Sequence, residues 1–373
     1  MLKPSAGPEP LTRMVFPDGH RGWLATGYGT VRAILADPRF SARAELTHSA
    51  LAALGPLPPA PPGVFLNLDA PEHTRYRTLL TGAFTVRRMR LLAGHAGEIS
   101  AECLDAMEHA GGPADLMTSF AHPVPALLTC ELLGVPEADR HLFQRLVADL
   151  VTTLNDPDVP FDQGFAALEA AQEYLRDLVD AKRVAPTDDL LGELTRTDLS
   201  GAELTGVAVL LLIGGFETTA NALALGTATL LRHPEHRATL RTNPDRTVEE
   251  LLRHLAIIHT LTRAARTDVE LDGHTIETGA TVALSLHTAN RDPDRFTDPH
   301  RFDPLRTPGP HLSFGYGIHR CLGRQLARVQ LRTALPALFS RFPTLRLTIP
   351  PDQIPLRPDT LGVHRVRRLP VTW

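Results

Sequence analysis

The side chain best placed to do chemistry is Cys321. It stands in the run Phe314-Gly315-Tyr316-Gly317-Ile318-His319-Arg320-Cys321-Leu322-Gly323. Two glycines two positions apart permit a tight turn and let the backbone approach a flat ligand. The cysteine falls at the start of a predicted helix, where unpaired amides and the positive helix end favour a thiolate. Gly323 withholds a side chain just beyond it, where bulk would collide with anything lying across the helix start. A lone cysteine is most often buried and inert. A thiolate offered from a glycine loop to a planar partner is instead the arrangement of an iron ligand in a macrocycle.

A second constellation is Gly214-Gly215-Phe216-Glu217-Thr218-Thr219, inside a predicted helix over 201–232. Two adjacent glycines in a helix interior cost ~1 kcal/mol each against alanine. Thr218 lies four residues after Gly214, so its hydroxyl can compete for that carbonyl and open the helix locally. An opened helix beside an acid and a hydroxyl can hold water and pass protons. Close helix packing at the glycines is the simpler alternative. Further along, Glu250 and Arg253 share a helix face, as do His73 and Arg77. Such pairs are usually exposed and contribute little.

The cysteine loop matches, at every defining position, the haem-binding signature Phe-Gly-x-Gly-x-His-x-Cys-x-Gly, and the chain resembles the cytochrome P450 superfamily. The likeness begins near Trp23 and Ala36-Asp37-Pro38-Arg39-Phe40-Ser41, passes Glu131-Leu132-Leu133-Gly134-Val135-Pro136 and ends at Leu369-Pro370-Val371. It is nearest the soluble bacterial type that tailors natural products. The resemblance implies haem b with Cys321 as thiolate ligand, seated by Phe314, Gly315 and Gly323. It implies that His73, Arg77, Arg263 and His319 hold the haem propionates. Thr218 would steady dioxygen and Glu217 would help to deliver protons. Glu250 and Arg253 would form a buried structural pair, with Arg301 as the third member of that network.

The implied activity is a monooxygenase that hydroxylates or epoxidises a small organic substrate. No flavin or iron–sulfur motif is present, so electrons are expected from a ferredoxin and its reductase. A related haem-thiolate enzyme doing oxidative coupling or peroxide-driven chemistry, or a non-catalytic haem sensor, remains an alternative. The intact Glu217-Thr218 pair favours dioxygen activation. Candidate substrate contacts are Phe65, Leu210, Phe216, Ile257, His259 and Val363, mostly apolar as ligand pockets are. Arg320 and Arg324 flank Cys321, and Arg75, Arg87 and Arg88 lie on or just beyond the segment bearing His73. If they surface together they form a basic patch for an acidic electron donor.

These groups need positioning elements, and helical patterns dominate. Short helices are predicted over 29–36 and from an Asp69 N-cap through 80. Others cover 96–109, 125–133, 136–154, 164–184 and 247–256, and the last runs over 321–342, bent at Pro336. The helix over 201–232 is the longest. Strands are predicted at 22–26, two or three within 267–286, and at 345–349 and 369–373. Residues 55–63, rich in proline, read as a stiff loop or a pocket roof. The expectation is a mainly α fold with small β-sheets, a single cytochrome P450 domain over residues 1–373.

Composition agrees. With 43% hydrophobic and 21% charged residues, the chain is neither disordered nor fibrous. A net charge of -4 gives no bulk attraction for nucleic acid or a membrane surface. Cys103, Cys130 and Cys321 are too scattered for a disulfide framework or a four-thiolate zinc site. The N-terminus shows no signal peptide. The apolar run at 207–213 is shorter than the ~20 residues of a membrane span. A cytoplasmic monomer is expected.

Overall fold

The computed structural model describes residues 9–53, 55–155, 161–307, 309–356 and 362–373. The first eight residues, read above for a signal peptide, lie outside that set, as does Leu361 beside the candidate contact Val363. The described chain opens with a hairpin of β1 (Leu11–Val15) and β2 (Arg21–Ala25). α1 (Tyr28–Ala36) and β3 (Phe40–Ser41) follow. β1 escaped the sequence reading because Thr12 and Arg13 interrupt its apolar positions.

A helical body comes next: α2 (Glu72–Ala83), α3 (Val86–Ala110), β4 (Ala114–Asp115), α4 (Pro123–Leu133), α5 (Arg140–Asn155) and α6 (Phe161–Val184). α7 (Leu190–Leu194), α8 (Gly201–Arg232), α9 (Arg237–Thr242) and α10 (Pro244–Leu255) complete it. α3 starts ten residues before its predicted start, because the Thr85 hydroxyl caps the Arg88 amide. Asp69 does not cap α2. Its carboxylate accepts from the Ser41 hydroxyl and the Ala42 amide instead.

The chain then returns to sheet: β5 (Thr260–Ala265), β6 (Val269–Leu271), β7 (His274–Ile276) and β8 (Thr281–Ser285). α11 (Leu286–Ala289), α12 (Arg324–Arg341), β9 (Arg346–Leu347) and β10 (Pro370–Thr372) end it. Five strands form one sheet in the order β1-β2-β8-β5-β3, with β2 and β8 parallel. β4-β10-β9 and β6-β7 make two smaller sheets.

α8 organises the interior. A capping box between Ser200 and Glu203 starts it, satisfying two otherwise unpaired amides. α4, α6, α10 and α12 pack around it. Taken over its whole length α8 is long and apolar enough to cross a membrane, yet most of it is sheathed by protein, as a core helix is. Its buried face carries Leu204, Val207, Ala208, Leu212, Ala220, Leu223 and Ala224. The proline-rich loop sits on its first turns. A Cβ on Gly63 would fall 2.1 Å from the Glu203 carbonyl, and one on Gly206 2.0 Å from the Pro62 carbonyl. Only glycine permits that approach.

Glu250 and Arg253 form a buried bidentate pair at 2.8 Å. Arg253 also donates to the carbonyls of Asn290, Pro299 and Arg301. Its third partner is not the one the sequence implied. Arg301 turns its side chain to solvent and lends only its carbonyl. Arg306 reaches Glu250 at 3.4 Å and donates to the carbonyls of Asp298 and Arg301. The Asp303 amide completes the carboxylate's partners. Removing one partner of a buried pair leaves the other charge uncompensated, and here that charge is the Arg253 guanidinium. Glu250→Ala should therefore fail to yield folded protein. Arg306→Ala should cost about 1.5–3 kcal/mol, while Arg301→Ala should stay within about 0.5 kcal/mol of the parent in denaturant unfolding. Equal losses in the two arginine variants would return Arg301 to the network.

Candidate functional site

The segment around Cys321 is held from below by side chains distant in sequence. The Asn290 amide bonds the Ser313 hydroxyl at 2.9 Å and accepts the Leu312 amide at 2.7 Å. The Ser313 hydroxyl donates to the Leu252 carbonyl on α10. Gly315 and Gly317 take φ of 65° and 73°, a region that disfavours any side chain. A Cβ on Gly317 would lie 2.2 Å from the Leu35 carbonyl, so the loop is pressed against the end of α1. The Cys321 amide closes the turn onto the Phe314 carbonyl at 2.9 Å. Behind it the Arg328 guanidinium lies 4.6 Å over the Phe314 ring. Burial would raise the Glu249 carboxyl, but hydrogen bonds from Arg328 and His311 hold it down to about 2.

Cys321 precedes α12 by three residues and is exposed. The expected thiolate preference is reversed. Crowding by protein pushes the thiol up, and the Gly323 amide, Arg77, Arg324 and Arg328 offset this only in part. Gly323 and Gly315 face open space, for a Cβ on either meets no atom within 4 Å.

Next to the cysteine four basic side chains converge. His73 and His319 have ring centroids 4.1 Å apart. Arg263 is buried and donates to the Thr262 carbonyl. Burial pushes its guanidinium down to about 10, with only Asp69 acting the other way. His319 is driven to about 3 by burial beside Arg263, His73 and Arg77. His73 and His319 each bury an Nδ1 without a hydrogen-bond partner. Arg77 donates to the Arg320 carbonyl. A buried guanidinium at Arg263, offset by Asp69 alone, and the partnerless ring nitrogens of His73 and His319 call for an anionic ligand. Two propionates on a flat macrocycle whose iron meets Cys321 fit this donor set.

Opposite in role lies α8. Midway along this buried helix Ile213 is 38% exposed and Gly214 is exposed. With Leu210, Glu217 and Thr218, all half-buried, they line one helical face. The Thr218 hydroxyl bonds the Gly214 carbonyl at 2.9 Å, as its spacing predicts, but the helix runs unbroken. Glu217 faces Arg365 at 2.9 Å.

The substrate candidates divide. Ile257, His259 and Val363 are brought together. Ile258 bridges Val363, the His259 amide donates to the Gly362 carbonyl, and the His364 amide donates to Ile257. Leu210 lies on the exposed face of α8. Phe216 does not: it is about 200° around the helix from Gly214, buried with its ring 5.4 Å from His122. Phe65 is buried against the rings of Tyr76 and His73. Sequence reasoning missed Arg365, Arg306 and the Glu249–Arg328 support. The heptad-like phase of α8 alone would have excluded Phe216.

Fold and site together define a haem-thiolate protein. The Cytochrome P450 family model matches residues 244–367. Cytochrome P450 105C1 of Streptomyces sp is 46% identical over 372 residues, covering 98% of this chain and 92% of the relative. Nocardicin C N-oxygenase of Nocardia uniformis subsp. tsuyamanensis is 40% identical, covering 99% and 94%. A crystal structure of a CYP105P1 variant superposes with a TM-score of 0.92 at 40% identity, covering 98% of this chain and 93% of that one. The chain belongs to the cytochrome P450 family, of the bacterial natural-product type, and its cofactor is haem b bound through a cysteine thiolate. It is an oxidoreductase that works with redox partners. Alanine at Arg77 or Arg263 should each remove a charge-assisted bond of ~1.5–3 kcal/mol to a propionate. Haem transfer to a scavenging protein should speed at least about tenfold in either variant. Unchanged transfer in both would detach these residues from the cofactor.

Proposed function

We propose that Cys321 is the axial thiolate of a monooxygenase acting on a small, largely apolar natural product, with the whole of residues 1–373 as one catalytic domain. The observation that carries this reading is the exposed cysteine beside four converging basic groups, two of which bury a ring nitrogen without a partner. The bound haem supplies the redox centre at which dioxygen is activated. The protein's own part is to hold it, through His73, Arg77, Arg263 and His319, and to manage protons and substrate on the α8 side. Thr218 has its hydroxyl anchored on the Gly214 carbonyl, which fixes the oxygen's position. Glu217 is the acid on the same face. Ile257, Val363 and Leu210 offer apolar walls, and His259 a polar contact. The relative named Nocardicin C N-oxygenase supports a substrate of secondary metabolism.

Cys321→Ser should fold and still lose the red-shifted band of the reduced carbon monoxide complex, and a variant that kept the band would end this reading. Thr218→Ala should bind haem normally and divert electrons into hydrogen peroxide. Unaltered peroxide release would return Thr218 to a packing role.

Electrons, on this reading, come from a ferredoxin in the cytoplasm, and the protein works as a monomer. A groove of about 430 Å³ between α2 and the cysteine loop is lined by His73, Thr74, Arg77, Thr78 and Ile318. The basic patch beside it is narrower than the sequence implied. Arg75 is paired with Glu203 and Asp198, and Arg88 with Glu193. Arg87 meets Asp188. Arg320 is exposed and Arg324 lies next to it, donating to the Cys321 carbonyl. Reduction by an acidic ferredoxin should slow as salt shortens the screening length to ~8 Å. Arg320→Glu should raise the apparent KM for ferredoxin more than Arg87→Glu, whose charge Asp188 already offsets. Salt-independent reduction, untouched by either reversal, would remove the electrostatic docking.

A further inference from the structure

We infer that Arg365 is the positioning residue for Glu217, holding the acid of α8 in the orientation from which it delivers protons. This rests on the proposed proton role of Glu217. The Arg365 Nε lies 2.9 Å from the Glu217 carboxylate in an ion pair without hydrogen-bond alignment, with side chains 6% and 17% exposed. The residue after Arg365 repeats the attachment one helical turn further along α8. The Val366 amide donates to the Asn221 side chain at 2.7 Å, and the Asn221 amide donates back to the Glu217 carbonyl at 2.9 Å. Glu217 and Asn221 are one helical turn apart and share a face. Two successive residues, 365 and 366, are thus stapled to two successive turns of α8.

The other end of the same segment is fixed as well. The His364 amide is bound to the Ile257 carbonyl, and Val363 bridges Ile258. Arg365 therefore approaches Glu217 from a backbone tied on both sides, and its guanidinium is always charged. A glutamate has three side-chain torsions to lose, and a fixed cation removes that freedom. Ordering a proton donor by a neighbour that does not itself react is how a site gains effective concentration. Stability does not account for the pair. A buried ion pair adds little over an apolar pair of equal volume, while losing one partner is costly. An ion pair kept beside the exposed stretch of α8, where an apolar pair would serve packing as well, points to a role in the reaction.

The test needs no organic substrate. Haem-loaded full-length protein is supplied with NADPH, a plant-type ferredoxin and its reductase, in ordinary and deuterated water. Dioxygen then leaves as hydrogen peroxide, consuming one NADPH, or as water, consuming two; water formation requires the additional protons. Arg365→Gln should raise the peroxide share roughly threefold or more, within the reach of a lost proton donor, and alter the solvent isotope effect. Arg365→Lys, which keeps the charge, should restore most of both. Glu217→Gln should behave like Arg365→Gln, and the double variant should be no worse than Glu217→Gln alone. A peroxide share unchanged in Arg365→Gln but raised in Glu217→Gln would overturn the inference. So would a failed lysine rescue. If Arg365→Gln does not retain haem, the double variant still decides, because any effect beyond Glu217→Gln means that Arg365 does not act through that acid. No change in Glu217→Gln itself would instead remove the underlying relay, and the inference with it.

Discussion

Four basic side chains converge beside Cys321, and Asp69 is the acid that acts on Arg263 and His73. In a medium less polar than water such a cluster is unfavourable until anions arrive. His73 and His319 each leave a buried nitrogen without a partner, and burial drives Arg263 well below its usual range. The protein tolerates this because haem brings two propionates, so part of the folded state's stability resides in the cofactor. The cysteine follows the same logic. Burial raises its thiol, with Arg77, Arg324 and Arg328 acting the other way, and a bound metal cation would favour the thiolate. Cofactor and site are each electrostatically incomplete without the other.

The remaining networks keep this unfavourable cluster in register. Asn290 and Ser313 hold the loop to α10, and the Glu249–Arg328 pair supports Phe314 from behind. Glu250 and Arg253 tie α10 to the segment that leads into the loop. On the other side α8 brings Thr218 and Glu217 into place, and its capping glutamate, Glu203, also binds Arg75 and Tyr76 of α2. That carboxylate therefore links α2, which bears His73 and Arg77, to α8, which bears Glu217 and Thr218. The arrangement is rigid where iron and propionates are held. The candidate substrate segments, residues 257–259 and 362–364, are joined by backbone hydrogen bonds and by the rings of His259 and His364, 4.7 Å apart.

Contiguous signals were legible in the sequence. The cysteine loop is a ten-residue pattern, and α8 is bounded by a capping serine and Pro234, so its ends were read to the residue. Long-range choices were not. Arg301 and Arg306 lie in the same irregular segment, 56 residues from Glu250 in the case of Arg306. Only the turn at Asp303 decides which guanidinium reaches the carboxylate. Arg365 carries no motif, and the chain separates Val366 from Asn221 by 145 residues. Phe216 was misplaced for a different reason: proximity in sequence to Glu217 was allowed to outweigh the helical period that turns it away.

The electrostatic grip can be measured directly by comparing haem with its dimethyl ester, in which both propionates are neutral. The protein freed of cofactor is titrated with each, and affinity and thermal shift are recorded. Loss of two charge-assisted contacts of ~1.5–3 kcal/mol each should weaken the ester at least about a hundredfold, and the Arg77→Ala and Arg263→Ala proteins should discriminate less between the two compounds. Equal affinity for haem and ester in the unmodified protein would contradict the account at its base.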